Sequence, residues 1–333
     1  MQNAKPHAAL LASPGMGHLI PVLELGKRLL TCHGFHVTLF VVATNASTTQ
    51  SLLEEPHPNL NVVNLPLVDI SGLIDPTATI VTKIIVMMRE TLPSLRSAIL
   101  ALKSPPTALI VDLFGTEAFA VAEELIMLKY VFDTSTAWFL AITIYVPTID
   151  KSVEDEHIIQ KQPLRIPGCK SVPFDDTLGA FLDRNDQTFI EFKRIGIEMT
   201  MADGILMNTW EDLEPTTIGA LRDFQMLGRV AKVPVYPIGP LARPVGPSEL
   251  GVAVRPKASA SERVVSRAEI EMMVRKIMED EEGFEIRKRV KELKYSGEKA
   301  LRSKGGSSYN SLSQIAKHCE HSLHFQKAKA QGA

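Results

Sequence analysis

The sequence predicts an α/β fold whose main body is one parallel, doubly wound sheet. Three observations carry that expectation. Between residues 8 and 241, short apolar runs of strand length alternate with longer stretches of helical period. The first run breaks into a Gly/Pro turn immediately before a helix, as a βαβ unit requires. After Leu241 the text becomes rich in Pro, Ser and Ala, and then helical and charged with almost no strand signal.

The elements follow in order. Residues 8–13, AALLAS, are mostly apolar and suit a strand buried on both faces. Over residues 19–30 apolar side chains recur at helical spacing: Leu19, Val22, Leu23, Leu25, Leu29 and Leu30. HVTLFVV at 36–42 is rich in β-branched residues and reads as the second strand, and LNVVNL at 60–65 as the third. Residues 81–102 read as one long helix with Leu92, Leu95, Ile99 and Leu102 on a common face. ALIVDLF at 108–114 reads as a buried strand, 117–125 as a helix, 130–132 as a short strand and 137–145 as a helix. Prolines make 147–185 loop-rich. A helix near 188–201, a strand at 204–207, a helix at 213–224 and a last strand within 233–241 bring the total to six or seven strands.

Beyond Leu241, residues 242–263 read as linker, with one short strand candidate at 250–254. Ser266 and Glu269 then form a capping box ahead of a charged helix. Met272, Met273, Ile277 and Met278 make an apolar stripe whose simplest reading is core packing. The 93 residues that follow Pro240 in this chain of 333 are too few for a second α/β domain, which wants roughly 150.

Hydrophobic residues at 45%, charged residues at 22% and a net charge of −2 describe a globular chain with no bulk field for nucleic acid or anionic membranes. Cys32, Cys169 and Cys319 are few, distant and odd in number. They indicate neither a disulfide framework nor a zinc site, and they suit a reducing, cytoplasmic compartment. The N-terminal apolar run stops at Pro14, unlike a signal peptide. The apolar stretch 136–146 has about half the length a bilayer needs.

SPGMGH at 13–18 sets an ionisable ring in a tight glycine turn where strand gives way to helix. The positive end of the helix favours a neutral imidazole, the form a general base needs. A carboxylate partner pulls the other way and orients the ring. Asp112 is the candidate partner, because a carboxylate within an apolar strand is costly when unpaired. Ligands of such sheets bind at the carboxyl ends of strands, where both residues fall. The residues alone are equally compatible with a surface histidine and an aspartate that caps a turn. A dinucleotide fingerprint is disfavoured, since Ile20 holds the third glycine position and no acid ends the second strand. There is no G-K-[ST] loop after a strand, no G-x-S-x-G, and no histidine cluster with metal spacing.

Several runs, in one order, resemble plant family 1 UDP-glycosyltransferases. They are SPGMGHLIPVLELGKRL (13–29), IVDLFGTEAF (110–119), YVFDTSTAWF (130–139), GILMNTWEDL (204–213) with Glu214 and Pro215, and VYPIGPL (235–241). EIRKRVKELKYSGEKAL (285–301) and GGSSYNSL (305–312) extend the resemblance into the tail. It covers nearly the whole chain and leans toward phenylpropanoid, monolignol and hydroquinone glucosyltransferases. The resemblance implies a GT-B-like architecture, with two Rossmann-like domains facing a cleft. Residues 1–241 would be the complete domain, which holds a small phenolic acceptor. UDP-sugar, most commonly UDP-glucose, would be the co-substrate, with no cofactor and no metal. His18 is implied as the base and Asp112 as its partner. Thr136 and Gly17 are implied on the donor side. Phe114 and Trp138 are implied as walls of an aromatic pocket, although both read equally as ordinary core aromatics.

The departure from the family lies in the second domain. The family's donor box runs from Trp-Ala-Pro-Gln through His-Cys-Gly-Trp-Asn-Ser to a Glu and an acid–Gln pair. Here the tryptophans are only Trp138 and Trp210, and the lone His318-Cys319 pair runs into Glu320. Residues 242–263 are therefore expected to hold a deletion junction, and 264–333 a truncated, mostly helical remnant of the donor domain. An internal deletion, by splicing or a gene-model error, would leave a weak or inactive transferase. The alternative is a non-catalytic small-molecule-binding or regulatory isoform. The expected partners are a phenolic acceptor, and UDP-sugar were the donor site complete, with no nucleic acid and no integral membrane segment.

Overall fold

The apolar runs assemble into one sheet. A computed structural model describes residues 5–43, 60–177, 179–241 and 266–331. Its strands are β1 (His7–Ala12), β2 (His36–Val42), β3 (Leu60–Leu65), β4 (Ala108–Asp112), β5 (Leu128–Asp133), β6 (Gly204–Met207) and β7 (Val235–Pro237). They lie in the order β3-β2-β1-β4-β5-β6-β7, and every pairing is parallel.

Successive strand residues point to opposite faces, so each strand feeds two cores. Ala9, Leu11, Phe40, Val111 and Val131 face one core. Ala8, Leu10, Leu39, Ile110, Tyr130 and Phe132 face the other. On the first face pack α2 (Ile80–Glu90), α3 (Leu92–Leu100), α4 (Phe119–Glu124), α5 (Ala137–Tyr145), α7 (Gln187–Met199), α8 (Pro215–Arg222) and the short α9 (Gly228–Ala231). On the second face lie α1 (Met16–His33) and the C-terminal α12 (Ser307–Gln331). Leu312, Ile315, Ala316 and Cys319 give α12 an apolar stripe at i, i+3, i+4 and i+7, and all four are buried against the sheet. The Tyr130 hydroxyl hydrogen-bonds His318 Nδ1 at 2.6 Å, and Ser308 Oγ donates to the Gly239 carbonyl at 2.6 Å. Chain from beyond the linker thus completes the sheet's second face.

Helices α10 (Arg267–Glu279) and α11 (Glu281–Ala300) pack on each other. Trp210 Nε1 donates to Ser296 Oγ at 2.8 Å and ties α11 to the segment after β6. Helix α10 buries no residue. Its stripe, read from sequence as core, is covered only in part: Met272 is 50% and Met278 64% exposed, while Met273 and Ile277 are half-buried. The layer it packs on is α11.

Other differences from the sequence reading have local causes. The long helix expected over 81–102 divides at Thr91, because Pro93 in the first turn of α3 has no N–H to give the carbonyl four residues back. The strand expected over 108–114 stops at Asp112, whose side chain caps a 3-10 turn, Leu113–Ala118. The loop-rich stretch 147–185 contains α6 (Lys151–Ile158) and an antiparallel bridge between Leu164 and Val172. Buried His157 staples that stretch, with Nδ1 2.6 Å from the Gln162 carbonyl and Nε2 2.9 Å from Thr177 Oγ1. The linker at 242–263 and its strand candidate at 250–254 lie outside the described residues.

Candidate active site

Connections from β1 run outward through β2 to β3, while β4 leads the other way through β5 to β7. The β1–β4 boundary is therefore the topological switch point, where carboxyl-end loops part and leave a crevice. Ser13, Gly15 and His18 follow β1, and Asp112 ends β4.

Gly15 makes the turn possible. Its φ of 111° is open to glycine and strained for other residues. Its carbonyl accepts the Leu19 N–H at 2.9 Å and so starts α1. His18 falls in the first turn with its ring over the strand ends. His18 Nδ1 is 2.8 Å from Asp112 Oδ2, and the histidine side chain keeps 23% exposure while the aspartate has none. Asp112 Oδ1 accepts from Ser13 Oγ at 2.8 Å and from the Phe114 N–H at 3.1 Å. Three donors thus fix one buried carboxylate. Placing the proton on Nδ1 leaves Nε2 as the free acceptor.

Burial works against a charged ring here. The hydrogen bond and charge of Asp112, with the charge of Asp133, outweigh it, and His18 holds its proton above the usual value near 6.5. The carboxylate wins over the helix terminus, and the ring stays within reach of neutral pH as a base.

Of the other sequence-named residues, Phe114 is the one in contact with this pair. The Phe114 ring lies 5.1 Å from the His18 ring, centroid to centroid, and 6.3 Å from Phe192. Phe192 also contacts Phe139 and Phe181, and Phe114, Phe181 and Phe192 are all buried in the first core. Trp138 belongs to a different contact, with Nε1 donating to the Lys170 carbonyl at 3.4 Å. Thr136 caps α5, its Oγ1 accepting the Phe139 N–H at 3.1 Å. Gly17 is exposed in the first turn of α1, with nothing within 4 Å of where a Cβ would stand.

Three features escaped the sequence reading. Glu214 receives the Ala137 and Trp138 N–H groups at 2.9 and 3.1 Å, capping α5 from another segment. Arg89 forks between Glu117 and Glu191, and Arg194 binds Glu191 and Glu198. Thr116 Oγ1 adds a bond to Glu198 at 2.7 Å. This network pins the turn that carries Phe114 to α2 and α7. Asp133, at the end of β5, is fully buried beside the pair. Acid residues dotted through a sequence carry no sign that they will converge.

Against this geometry, similarity to known proteins is informative. Anthocyanidin 3-O-glucosyltransferase 5 of Manihot esculenta is 39% identical over 478 aligned positions, covering 98% of both chains. The chain belongs to the plant UDP-glycosyltransferase family. UDP-glycosyltransferase 72E1 of Arabidopsis thaliana is 37% identical across the full length of both chains. UDP-glycosyltransferase 72E3 of the same plant is 52% identical over 245 residues, which are 74% of this chain and 51% of that one. The crystal structure of TcCGT1 in complex with UDP superposes with a TM-score of 0.86 at 30% identity, covering 96% of this chain and all of that one. An indoxyl-glucosylating UDP-glucosyltransferase from Polygonum tinctorium, at 24% identity and a TM-score of 0.85, shares the fold. No protein-family model matches the chain.

These likenesses give the family member an α/β, GT-B-like fold with its sheet domain in place. They also measure what is missing. Against UDP-glycosyltransferase 72E1 the alignment runs over 487 positions and the whole of this 333-residue chain, so 154 of them have no counterpart here. Since that alignment reaches both ends, those positions fall within it. The family works with a UDP-sugar co-substrate and no cofactor. Among the described residues no group of three or more His, Cys, Asp or Glu is placed to hold a metal ion, and no helix is long and apolar enough to cross a membrane.

Proposed function

We propose that this chain carries the acceptor-activating half of a UDP-sugar-dependent glycosyltransferase acting on small phenols. The observation that carries the reading is the 2.8 Å His18–Asp112 pair at the sheet's switch point. His18 Nε2 takes the proton of an acceptor hydroxyl, and Asp112 orients the ring and stabilises the imidazolium that forms. The acceptor oxygen then displaces UDP at the anomeric carbon with inversion and without metal. Phe114, backed by Phe192, and Trp138 form the aromatic sides of the acceptor pocket. Thr136 and Gly17 stand on the donor side. The compartment consistent with three free cysteines is the cytoplasm.

The donor half is the weak point. A nucleoside diphosphate needs helix N-termini, a stacking aromatic and ribose-binding groups, and the family's box for these is absent from the sequence. We assign the 154 unmatched positions to that lobe. Without it the cleft has one wall, and positioning and water exclusion are lost. Transfer is accordingly weak or absent, and phenol binding survives. The 154-position difference favours the second reading, a non-catalytic acceptor-binding isoform, as the state of this chain.

One experiment separates the readings. The purified chain is incubated with UDP-glucose and a panel of phenols, and products are read by mass spectrometry beside calorimetric titration with each ligand. Glucoside formation that H18A abolishes establishes the transferase. Phenol binding without UDP-glucose binding or product establishes the acceptor-binding isoform. Absence of phenol binding overturns both.

A further inference from the structure

The proposed base uses one carboxylate, and the site holds a second. Asp133 closes β5, one residue beyond the register pair Asp112–Phe132 that joins β4 to β5. It is fully buried. Oδ1 accepts the Ser135 N–H at 2.9 Å, while Oδ2 has no hydrogen-bond partner. A buried carboxylate oxygen without a donor is costly, and a proton on the group relieves that cost. The charged groups that reach Asp133 are His18 from α1, Asp112 from β4 and Glu214 from the segment after β6. Two of the three oppose a further negative charge, and only the imidazole favours it. Burial first, then Asp112 and Glu214, push the Asp133 carboxyl up to about 7, against the Ser135 N–H and His18. The influence is mutual, because Asp133 helps His18 hold its proton.

We propose that Asp133 is a positioning residue that sets the charge on His18 by holding or releasing a proton beside it. With the proton on Asp133, the imidazole is free to be neutral and Nε2 can accept a hydroxyl proton. With Asp133 ionised, a second negative charge holds the ring as imidazolium, and Nε2 has no lone pair to offer. Proton loss from Asp133 to solvent and proton loss from His18 to solvent therefore compete, and the two groups titrate as one coupled system. The consequence for catalysis rests on the reading of His18 as base, whereas the coupling itself does not.

The test is an NMR titration of the His18 ring in the whole chain, its signal assigned by loss in H18A. In the natural sequence the ring follows a broadened or two-step curve across the neutral range. In Asp133→Asn, which keeps shape and removes the charge, the curve becomes a single step with its midpoint lower by at least about half a unit. Infrared difference spectra over the same range show the carbonyl band of a protonated carboxyl in the natural sequence and lose it in Asp133→Asn. A single one-proton step for His18, unmoved by Asp133→Asn, overturns the proposal. Should the variant fail to fold, the unaltered chain decides alone: a single-step curve with no protonated-carboxyl band overturns it. Glucoside formation that persists in H18A would refute the base while leaving this coupling intact.

Discussion

Helix α12 and helix α10 come from the same tail, yet α12 buries Leu312, Ile315, Ala316 and Cys319 against the sheet and α10 buries nothing. Both carry apolar side chains at helical spacing. The difference lies in the facing layer. The partner of α12 is the sheet face around Tyr130 and Phe132, which residues 1–241 encode. Helix α10 lies after residues 242–263, and we propose that its partner belongs to the aligned positions that this chain lacks. An amphipathic stripe stabilises a fold only where a complementary surface exists, so the two helices separate propensity from packing.

The comparison is most easily broken at its buried side. Ile315→Ala should cost about 2–5 kcal/mol, as deletion of a fully buried branched side chain does when its site relaxes only in part. Thermal or urea unfolding measures it. A cost under about 1 kcal/mol would mean that α12 rests loosely on the sheet. The carboxyl edge should respond nearly as strongly. Asp112→Ala strands the Ser13 hydroxyl and the Phe114 N–H in a buried setting and removes a cap, for about 2–3 kcal/mol. It should also lower the His18 midpoint, since the main group that holds the proton is gone.

An effect with a distinct pH signature belongs to Asp133. The folded carboxyl binds its proton more tightly than the unfolded one, with about 7 against 3.8. Its favourable contribution is complete below the unfolded value and is lost as pH climbs through the folded one. Asp133→Asn should therefore match the natural chain in strong acid and exceed it above neutrality. The gap opens as pH climbs between those two values. Melting curves across the pH range read it directly, and a gap independent of pH would assign the change to shape.

Much of this arrangement was legible beforehand, for definable reasons. Strands buried on both faces write themselves as apolar runs, so β1, β2, β4 and β6 fall where the runs fall. His18 and Asp112 stand out because each breaks a local rule, a ring in a glycine turn and an acid in an apolar strand. Their meeting needs only the switch-point geometry of a parallel sheet. Asp133 breaks the same rule as Asp112. In the sequence, however, FDTS also reads as an acid turning onto its own chain, and Oδ1 does bond Ser135. The orphaned Oδ2 is visible only in three dimensions. Glu214 on α5 and the Arg89–Glu117–Arg194 network join segments tens of residues apart, and no local pattern encodes such pairings.

The bare side of the comparison should yield the smallest change in stability. Met272 and Met278 are half or more exposed, so replacing both with serine removes little apolar surface from the folded state that water does not already touch. The expected change in unfolding free energy is within about 0.5 kcal/mol per site, set mainly by the slightly lower helix propensity of serine. What should change is self-association. Ile270, Met272, Val274 and Met278 leave large apolar side chains exposed along one helix, and Phe284 adds to them at the start of α11. Exposed apolar surface of that kind promotes contact between copies. Sedimentation and light scattering at rising concentration should show less association for the double serine variant while its melting temperature holds. A fall in melting temperature comparable to that of Ile315→Ala would show that α10 is covered in solution, and the contrast with α12 would disappear.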